Sequence, residues 1–322
     1  MSNENRVESY HHEGWIEDRP NSCATVSRTS IVSAFLVLSA LWGSSFAAIR
    51  LGLPSMPPVL FAALRFYLAG AVMVAYAIYS QTRWRPQGDD WKTVAVGALF
   101  FIAAHHAFLF VGEQYVTSAV AGVIISLDPV LAAGFAALLL PDERLSELGV
   151  VGLLFGLLGA TIVANPSPEN LVGSDVRGVV LVFLAAAAFA LGAVLTRRFR
   201  TDLPAVSMQA WMMLVGAVVL HAVSLALPSE RLADIEWTVD AILALGYLAF
   251  VAGGIGFLLY FALLDEIGPV EINLVGYVAP LFAGLSGWVV LGEPIEETTV
   301  AGFAVIVVGF ALLKRRALLD AF

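Results

Sequence analysis

Residues 118–139 read SAVAGVIISLDPVLAAGFAALL. The stretch carries one charge, Asp128, followed directly by Pro129. About 20 apolar residues in a row are what a helix needs to cross hydrocarbon, because lipid offers no partner for backbone polar groups. The plan returns at residues 270–291, VEINLVGYVAPLFAGLSGWVVL, with Pro280 in the place of Pro129 and Ala279 in the place of Asp128. Two such stretches, one an edited copy of the other, indicate a membrane-embedded helical protein built by duplication.

Outward from these two stretches, eight more candidates follow, making ten in all. In chain order they are Ile31–Ile49, Val59–Tyr79, Thr93–Val111, Ser118–Leu139, Glu147–Val163, Gly178–Leu195, Ala205–Leu225, Ala241–Leu263, Val270–Leu291 and Thr299–Leu313, numbered spans 1 to 10 below. The connections are short and carry turn chemistry, as in Leu53-Pro54-Ser55-Met56-Pro57-Pro58, Arg85-Pro86-Gln87-Gly88 and Asn165-Pro166-Ser167-Pro168. Residues 1–28 are polar and of mixed charge, and they read as a disordered cytoplasmic tail. A cleaved signal peptide over 31–47 would be long, and it would have no need of the counterpart that span 1 has in span 6.

Composition supports this reading. Of the 322 residues, 59% are hydrophobic and 13% charged, against about 25% charged in soluble domains. There are too few charges to clothe a water-facing surface. The net charge of −9 and the scattered basic residues exclude nucleic acid as a partner. The single Cys23 excludes an internal disulfide framework.

Positive charge sets the expected orientation, since Lys and Arg are retained in cytoplasmic loops. With the N-terminus inside, 13 of the 17 basic residues fall on the cytoplasmic side, and only Arg50, Arg177 and Arg231 fall outside. Both termini are therefore expected in the cytoplasm of a multi-pass plasma-membrane protein.

The halves match beyond the prolines. Glu143, Gly152 and Gly159 recur as Glu293, Gly302 and Gly309, each 150 residues on, and Arg50 at the end of span 1 recurs as Arg197 at the end of span 6. One repeat holds five spans. Five is odd, so the second copy enters the membrane from the opposite face. Alternating-access transporters are built from such inverted repeats, with the site between the halves.

The order and duplication of these pieces resemble the EamA family of the drug/metabolite transporter superfamily. The resemblance rests on Leu41-Trp42-Gly43-Ser44-Ser45-Phe46, Phe61-Ala62-Ala63-Leu64-Arg65-Phe66, Ser118-Ala119, Leu127-Asp128-Pro129-Val130 and Asp142-Glu143-Arg144-Leu145-Ser146. In the second half it rests on Ala279-Pro280-Leu281-Phe282, Leu291-Gly292-Glu293-Pro294 and Gly302. It covers roughly Ile31 to Lys314. It implies an all-α integral membrane protein of ten transmembrane helices, in two inverted five-helix repeats around a central cavity. The repeats would be residues 29–165 and 177–316. It also implies efflux or exchange of small metabolites, amino acids or drugs. Two departures stand out: Leu140-Pro141-Asp142-Glu143 is one residue longer than the expected Leu-Gly-Glu, and Phe189 occupies the place matching Trp42.

Charge inside a span is costly and marks a functional candidate. Asp128 lies about eleven residues into span 4, near mid-membrane at ~1.5 Å per residue. Pro129 removes a backbone donor and frees the carbonyl of Ile125. A carboxylate beside a free carbonyl suits an ion, a proton or a substrate amine; the structural alternative is a buried carboxylate satisfied by a neighbour. Arg65, in span 2, is either a ligand for an anion or a structural ion-pair member, and Arg65 and the substrate itself are the candidate cations for Asp128. His105 and His106, adjacent in span 3, point about 100° apart, so at most one faces a cavity squarely. They suit proton exchange or substrate hydrogen bonding, or are held by backbone carbonyls. No metal or other cofactor is expected, since no Cys or Asp/Glu cluster accompanies them. Trp42, Trp211, Tyr260, Asn273 and Tyr277 are candidates to line the cavity, and Pro129 and Pro280 to break their helices. Gly149, Gly152, Gly156 and Gly159 form a small-residue face suited to close packing within the chain.

An intramembrane enzyme is the competing class. Gly284-Leu285-Ser286-Gly287 resembles the serine motif of rhomboid-type intramembrane proteases. Such a serine needs a general base, and no His follows Ser286 in the chain. Transport of a small molecule, with protons as the possible coupling ion, is the stronger expectation.

Overall fold

The structure is a computed structural model that describes residues 28–140, 146–165, 174–199 and 201–320. Outside the described residues lie 1–27 of the tail expected over 1–28, the Pro141-Asp142-Glu143-Arg144-Leu145 segment, the Pro166-Ser167-Pro168 turn and Arg200; Arg28, the last residue of that expected tail, opens the first helix.

The protein is an all-α, multi-span membrane protein. Among the described residues, eight helices are long and apolar enough to cross a membrane: Thr29–Gly52, Pro58–Ser80, Asp90–Gly112, Ser118–Leu139, Glu147–Ala164, Val176–Thr196, Ala205–Leu225 and Val239–Gly268. Two shorter apolar helices follow, Val275–Leu291 and Glu297–Leu313. The ten helices match the expected stretches in order and keep their numbers, span 1 to span 10. Span 8 extends past the expected Leu263, to Gly268. There φ is 81°, and the chain kinks before the next helical turn, a conformation open to glycine because it has no Cβ. The starts of spans 4, 5 and 8 are set by caps. Thr117, Ser146 and Thr238 each accept from the backbone N–H three residues on, satisfying a donor that the helix cannot.

Lipid-facing side chains stay uncovered, among them Leu138, Leu154, Val289 and Val300. Lipid is as apolar as leucine, so close packing and polar contacts must hold the helices together. The seam between spans 5 and 10 shows how. A Cβ on Gly159 would stand 2.6 Å from the carbonyl oxygen of Gly302, and one on Gly302 the same 2.6 Å from that of Gly159. Gly152 and Gly309 stand in the same relation, at 2.5 and 2.6 Å. Any side chain would force these backbones apart. Gly156 faces Val130 of span 4 instead, and the small-residue face is spent on contacts within the chain.

The other contacts come in pairs with the halves exchanged. Span 2 lies along span 7. Span 1 packs on spans 8 and 9, while span 6 packs on spans 3 and 4; span 2 touches span 8, and span 7 touches span 3. Spans 3 and 8 each contain a π-helical stretch, Ala98–Ala104 and Tyr247–Ile255. Such stretches widen the turn, disturb the regular hydrogen-bond ladder and collect at functional sites.

Candidate functional site

Span 4 is two helices in series. Ser118–Ile125 ends, Ser126 and Leu127 turn, and Asp128 opens the second helix with Pro129 behind it. Proline is tolerated there because the first turn of a helix leaves its N–H groups unpaired anyway. The turn is upstream of Pro129, and Ser126 Oγ donates to the Val123 carbonyl at 2.6 Å. Span 9 is not broken at the matching place: the chain turns at Asn273–Leu274, before the span, and Pro280 lies inside the continuous helix Val275–Ser286, so the helix break expected at Pro280 is not found. Spans 4 and 9 do not stand apart across an open space at this level. A Cβ on Gly122 would meet Ala283 Cβ at 2.8 Å and Pro280 Cα at 3.3 Å.

Asp128 carries a buried Oδ1 with no hydrogen-bond partner among the described residues. Tyr277 of span 9, within electrostatic reach of Asp128, has a buried Oη that is equally unpartnered. Its ring lies on Phe310 of span 10, 4.2 Å between centroids. Polar groups buried without partners are expensive. Each keeps unused hydrogen-bonding capacity.

Arg65 is not the cation for Asp128. It is buried among Phe66, whose ring centroid is 4.5 Å from its guanidinium carbon, and Phe110. The charges it feels are Glu113, His105 and His106. The expectation of an Arg65–Asp128 pair fails because span 2 packs along span 7 and presents Arg65 to span 3.

The two histidines are both close to backbone carbonyls. His105 Nδ1 is 2.9 Å from the Ala185 oxygen in span 6, and His106 Nδ1 is 3.0 Å from the Ile102 oxygen. A carbonyl can only accept, so Nδ1 must carry the proton in each, and the free lone pair of the neutral ring is on Nε2. The rings are 4.5 Å apart at 75°, and His106 meets Phe66 edge-on at 4.4 Å. The π-helical stretch just before them sets this placement.

The candidate lining residues separate. Trp42 Nε1 donates to the Ala252 carbonyl in the π-helical stretch of span 8, at 3.3 Å, and its ring stacks on Tyr260 at 5.4 Å. Close by, Ser44 Oγ and Tyr247 Oη are 2.6 Å apart. Trp211 is elsewhere: its Nε1 donates to the Trp84 carbonyl at 2.9 Å, and Trp84 and Trp91 surround it. It anchors the loop after span 2. Asn273 is exposed in its turn. Ser286 Oγ donates to the Ala283 carbonyl at 3.2 Å, which spends its proton on the backbone. A cavity of about 360 Å³ lies at the end of span 7, lined by His221, Ser224 and Glu230, away from Asp128.

Sequence reasoning missed a cluster where spans 1, 3 and 4 and the residues after span 9 meet. Arg50 Nε donates to Glu293 Oε1 at 3.1 Å, and Arg50 Nη1 donates to the Glu113 carbonyl at 2.6 Å. Glu293 Oε2 accepts from the Ser118 backbone N–H at 2.8 Å, where the helix dipole also favours an anion. The Glu113 side chain is fully buried, and neither carboxylate oxygen has a hydrogen-bond partner among the described residues. Burial pushes its carboxyl well above the usual range. Arg50 and Arg65 oppose that shift, and Glu293 adds to it. The signal for Glu113 was present in the sequence, an acid directly after an apolar span, but an acid there is ordinarily a solvated loop residue.

A broken apolar span, π-helical stretches and buried polar groups without partners place candidate ligand groups inside a multi-span membrane protein. The comparisons agree. The profile of the EamA-like transporter family matches residues 29–165 and again residues 176–315, and the chain belongs to this family. An uncharacterized transporter of Archaeoglobus fulgidus is 26% identical over 85% of this chain and 95% of its own length. The uncharacterized transporter YvbV of Bacillus subtilis is 25% identical over 90% and 93%. The uncharacterized inner membrane transporter YedA of Escherichia coli K12 is 26% identical over 88% and 90%. A crystal structure with 26% sequence identity shares the fold at a TM-score of 0.60, over 90% of this chain and 99% of that one. The protein is therefore a multi-pass plasma-membrane secondary transporter of small molecules, and it is not an enzyme.

Proposed function

We propose that this chain exports small metabolites, amino acids or drugs by alternating access, coupled to protons through Asp128. The carrying observation is the pair of buried, unpartnered groups, Asp128 Oδ1 at the break in span 4 and Tyr277 Oη on span 9. A carboxylate with spare capacity can hold a proton or a cationic group, and exchanging one for the other couples the two flows.

The frame is two inverted five-helix repeats, 29–165 and 177–316. It is supported by the double family match, by contacts that recur with the halves exchanged and by the reciprocal glycine pairs. A two-fold axis turns the contact of Gly152 with Gly309 into that of Gly302 with Gly159, as a self-complementary interface requires. The site would then lie between the halves, with both termini cytoplasmic.

The test is flux in proteoliposomes under an imposed pH gradient, with a panel of counterflow metabolites. Asp128→Asn keeps the shape and removes the charge. It should fold with an unchanged melting temperature, lose pH-driven transport and retain substrate exchange. Undiminished pH-driven uptake by folded Asp128→Asn would end the coupling proposal. A reporter after Phe322 that is active only outside the cytoplasm should stay silent.

A further inference from the structure

Arg50 has two acids in reach and hydrogen-bonds the side chain of only one. Arg50 spends Nε on the Glu293 carboxylate and Nη1 on the backbone of Glu113. The Glu113 carboxylate, fully buried, stands within electrostatic reach of Arg50 without a hydrogen bond from it or from any other described residue. Through Glu293, Arg50 and the Ser118 N–H, this one network ties span 1, the end of span 3, the start of span 4 and the chain after span 9. Arg50 and Glu293 are 243 residues apart and belong to different halves. A path between the halves cannot open at this end while the network is intact.

We propose that Arg50, Glu293 and Glu113 form a two-position gate at this end of the bundle, Arg50 pairing with Glu293 when the end is closed and with Glu113 when it is open. Separation of span 9 from span 1 carries Glu293 away. Arg50 then turns to the waiting carboxylate at the end of span 3. The ion pair is exchanged rather than lost. That keeps the two states close in free energy, as a transporter needs if both are to be visited. A gate that merely broke its ion pair would leave a buried charge unpaired and would be strongly biased toward closure. Glu113 is faced by Arg50 from span 1, Arg65 from span 2 and Glu293 from beyond span 9. In the closed state burial holds its carboxyl protonated to higher pH than an ordinary glutamate, and pairing with Arg50 reverses this. Opening therefore releases a proton. The inference rests on the alternating-access reading.

The experiment places a reporter cysteine at Ser118, which is fully buried at the gate, in a chain whose Cys23 is replaced by alanine. The protein is held in nanodiscs, where both faces are accessible, and the rate of labelling by a water-soluble maleimide is measured. Glu293→Gln removes the closed-state charge partner and should speed labelling about tenfold, the scale of one charged hydrogen bond. Glu113→Gln removes the open-state partner and should slow labelling below that of the parent. Parent labelling should also rise with pH, beyond the reagent's own dependence on a free cysteine peptide, and Glu113→Gln should abolish that excess. Each variant is an independent test, so failure of one to fold leaves the other decisive. Changes in the same direction for both, or none in either, would overturn the gate. Labelling needs no substrate, so opposite changes without any measurable flux would fault the transport reading and leave the gate standing.

Discussion

The two ends of the bundle perform one task with different chemistry. At the end reached by span 2, the loop before span 3 is clasped to the loop before span 7. Asp90 accepts from Arg83 at 2.5 Å, from the Gln87 N–H at 2.9 Å and from Thr201 Oγ1 at 2.8 Å, while Ser207 Oγ and Trp211 Nε1 donate to the carbonyls of Arg83 and Trp84. At the other end, the loop before span 8 is clasped to the start of span 2. Glu230 accepts from the N–H groups of Val59 and Leu60 at 3.2 and 2.9 Å, and the Glu236 N–H donates to the Ser55 carbonyl at 2.8 Å. The two clasps join corresponding loops with the halves exchanged. Duplication decides where loops meet, and each copy is free to hold them with an ion pair or with a capped helix end. The second end carries the Arg50–Glu293 network as well.

The comparison is most easily broken at Asp90. Asp90→Ala strands the partly exposed Arg83, the Thr201 hydroxyl and the Gln87 N–H at once, and losing several hydrogen bonds to one carboxylate costs roughly 3 kcal/mol. The expected result is a marked fall in detergent melting temperature, and rescue by Asp90→Asn should be partial, because the charge is gone but an acceptor remains. At the other end, Glu230→Ala uncaps span 2 and should cost about 2 kcal/mol by the same measurement, the upper range for a lost helix cap. If Glu230→Ala proves the more damaging, the clasp chemistry is not interchangeable. The smallest effect belongs to Glu113 and shows in pH dependence. Its carboxyl is held above its unfolded value by burial. The stability this contributes is therefore full below the ordinary carboxylate range and is lost as pH rises through the raised value. Glu113→Gln should gain on the wild type as melting is followed from acid to neutral pH. A constant difference across that range would show that Glu113 does not titrate there.

Much of the architecture is legible in the chain because burial in lipid is a property of local composition. Any run of about 20 apolar residues must cross or be shielded, so the spans read out one by one, and Gly152 and Gly159 announce a close seam. Span 8 runs past its hydropathic end, since its last residues are mixed in polarity and the kink depends on Gly268. Of the candidate residues, Asp128 and Tyr277 both stand out in the sequence, and each is buried with a polar atom that no described residue partners. Trp211 and Asn273 stand out on the same grounds, but one is tied to a loop and the other lies exposed.

The sequence by itself determined a duplicated, helical membrane protein with Asp128 set before one of two matching prolines, because hydropathy, proline position and repeat offset are all local or periodic signals. The tertiary structure alone decided which charges meet. Arg65 lies near Glu113 and the histidines, without an ion pair to Glu113 or to Asp128, because span 3, not span 4, lies against the face of span 2 that carries it. Arg50 finds Glu293 across 243 residues, while the Glu113 carboxylate is left buried without a hydrogen bond from any described residue. Such pairings depend on the angle and depth at which helices pack, and no pattern along a single chain encodes that.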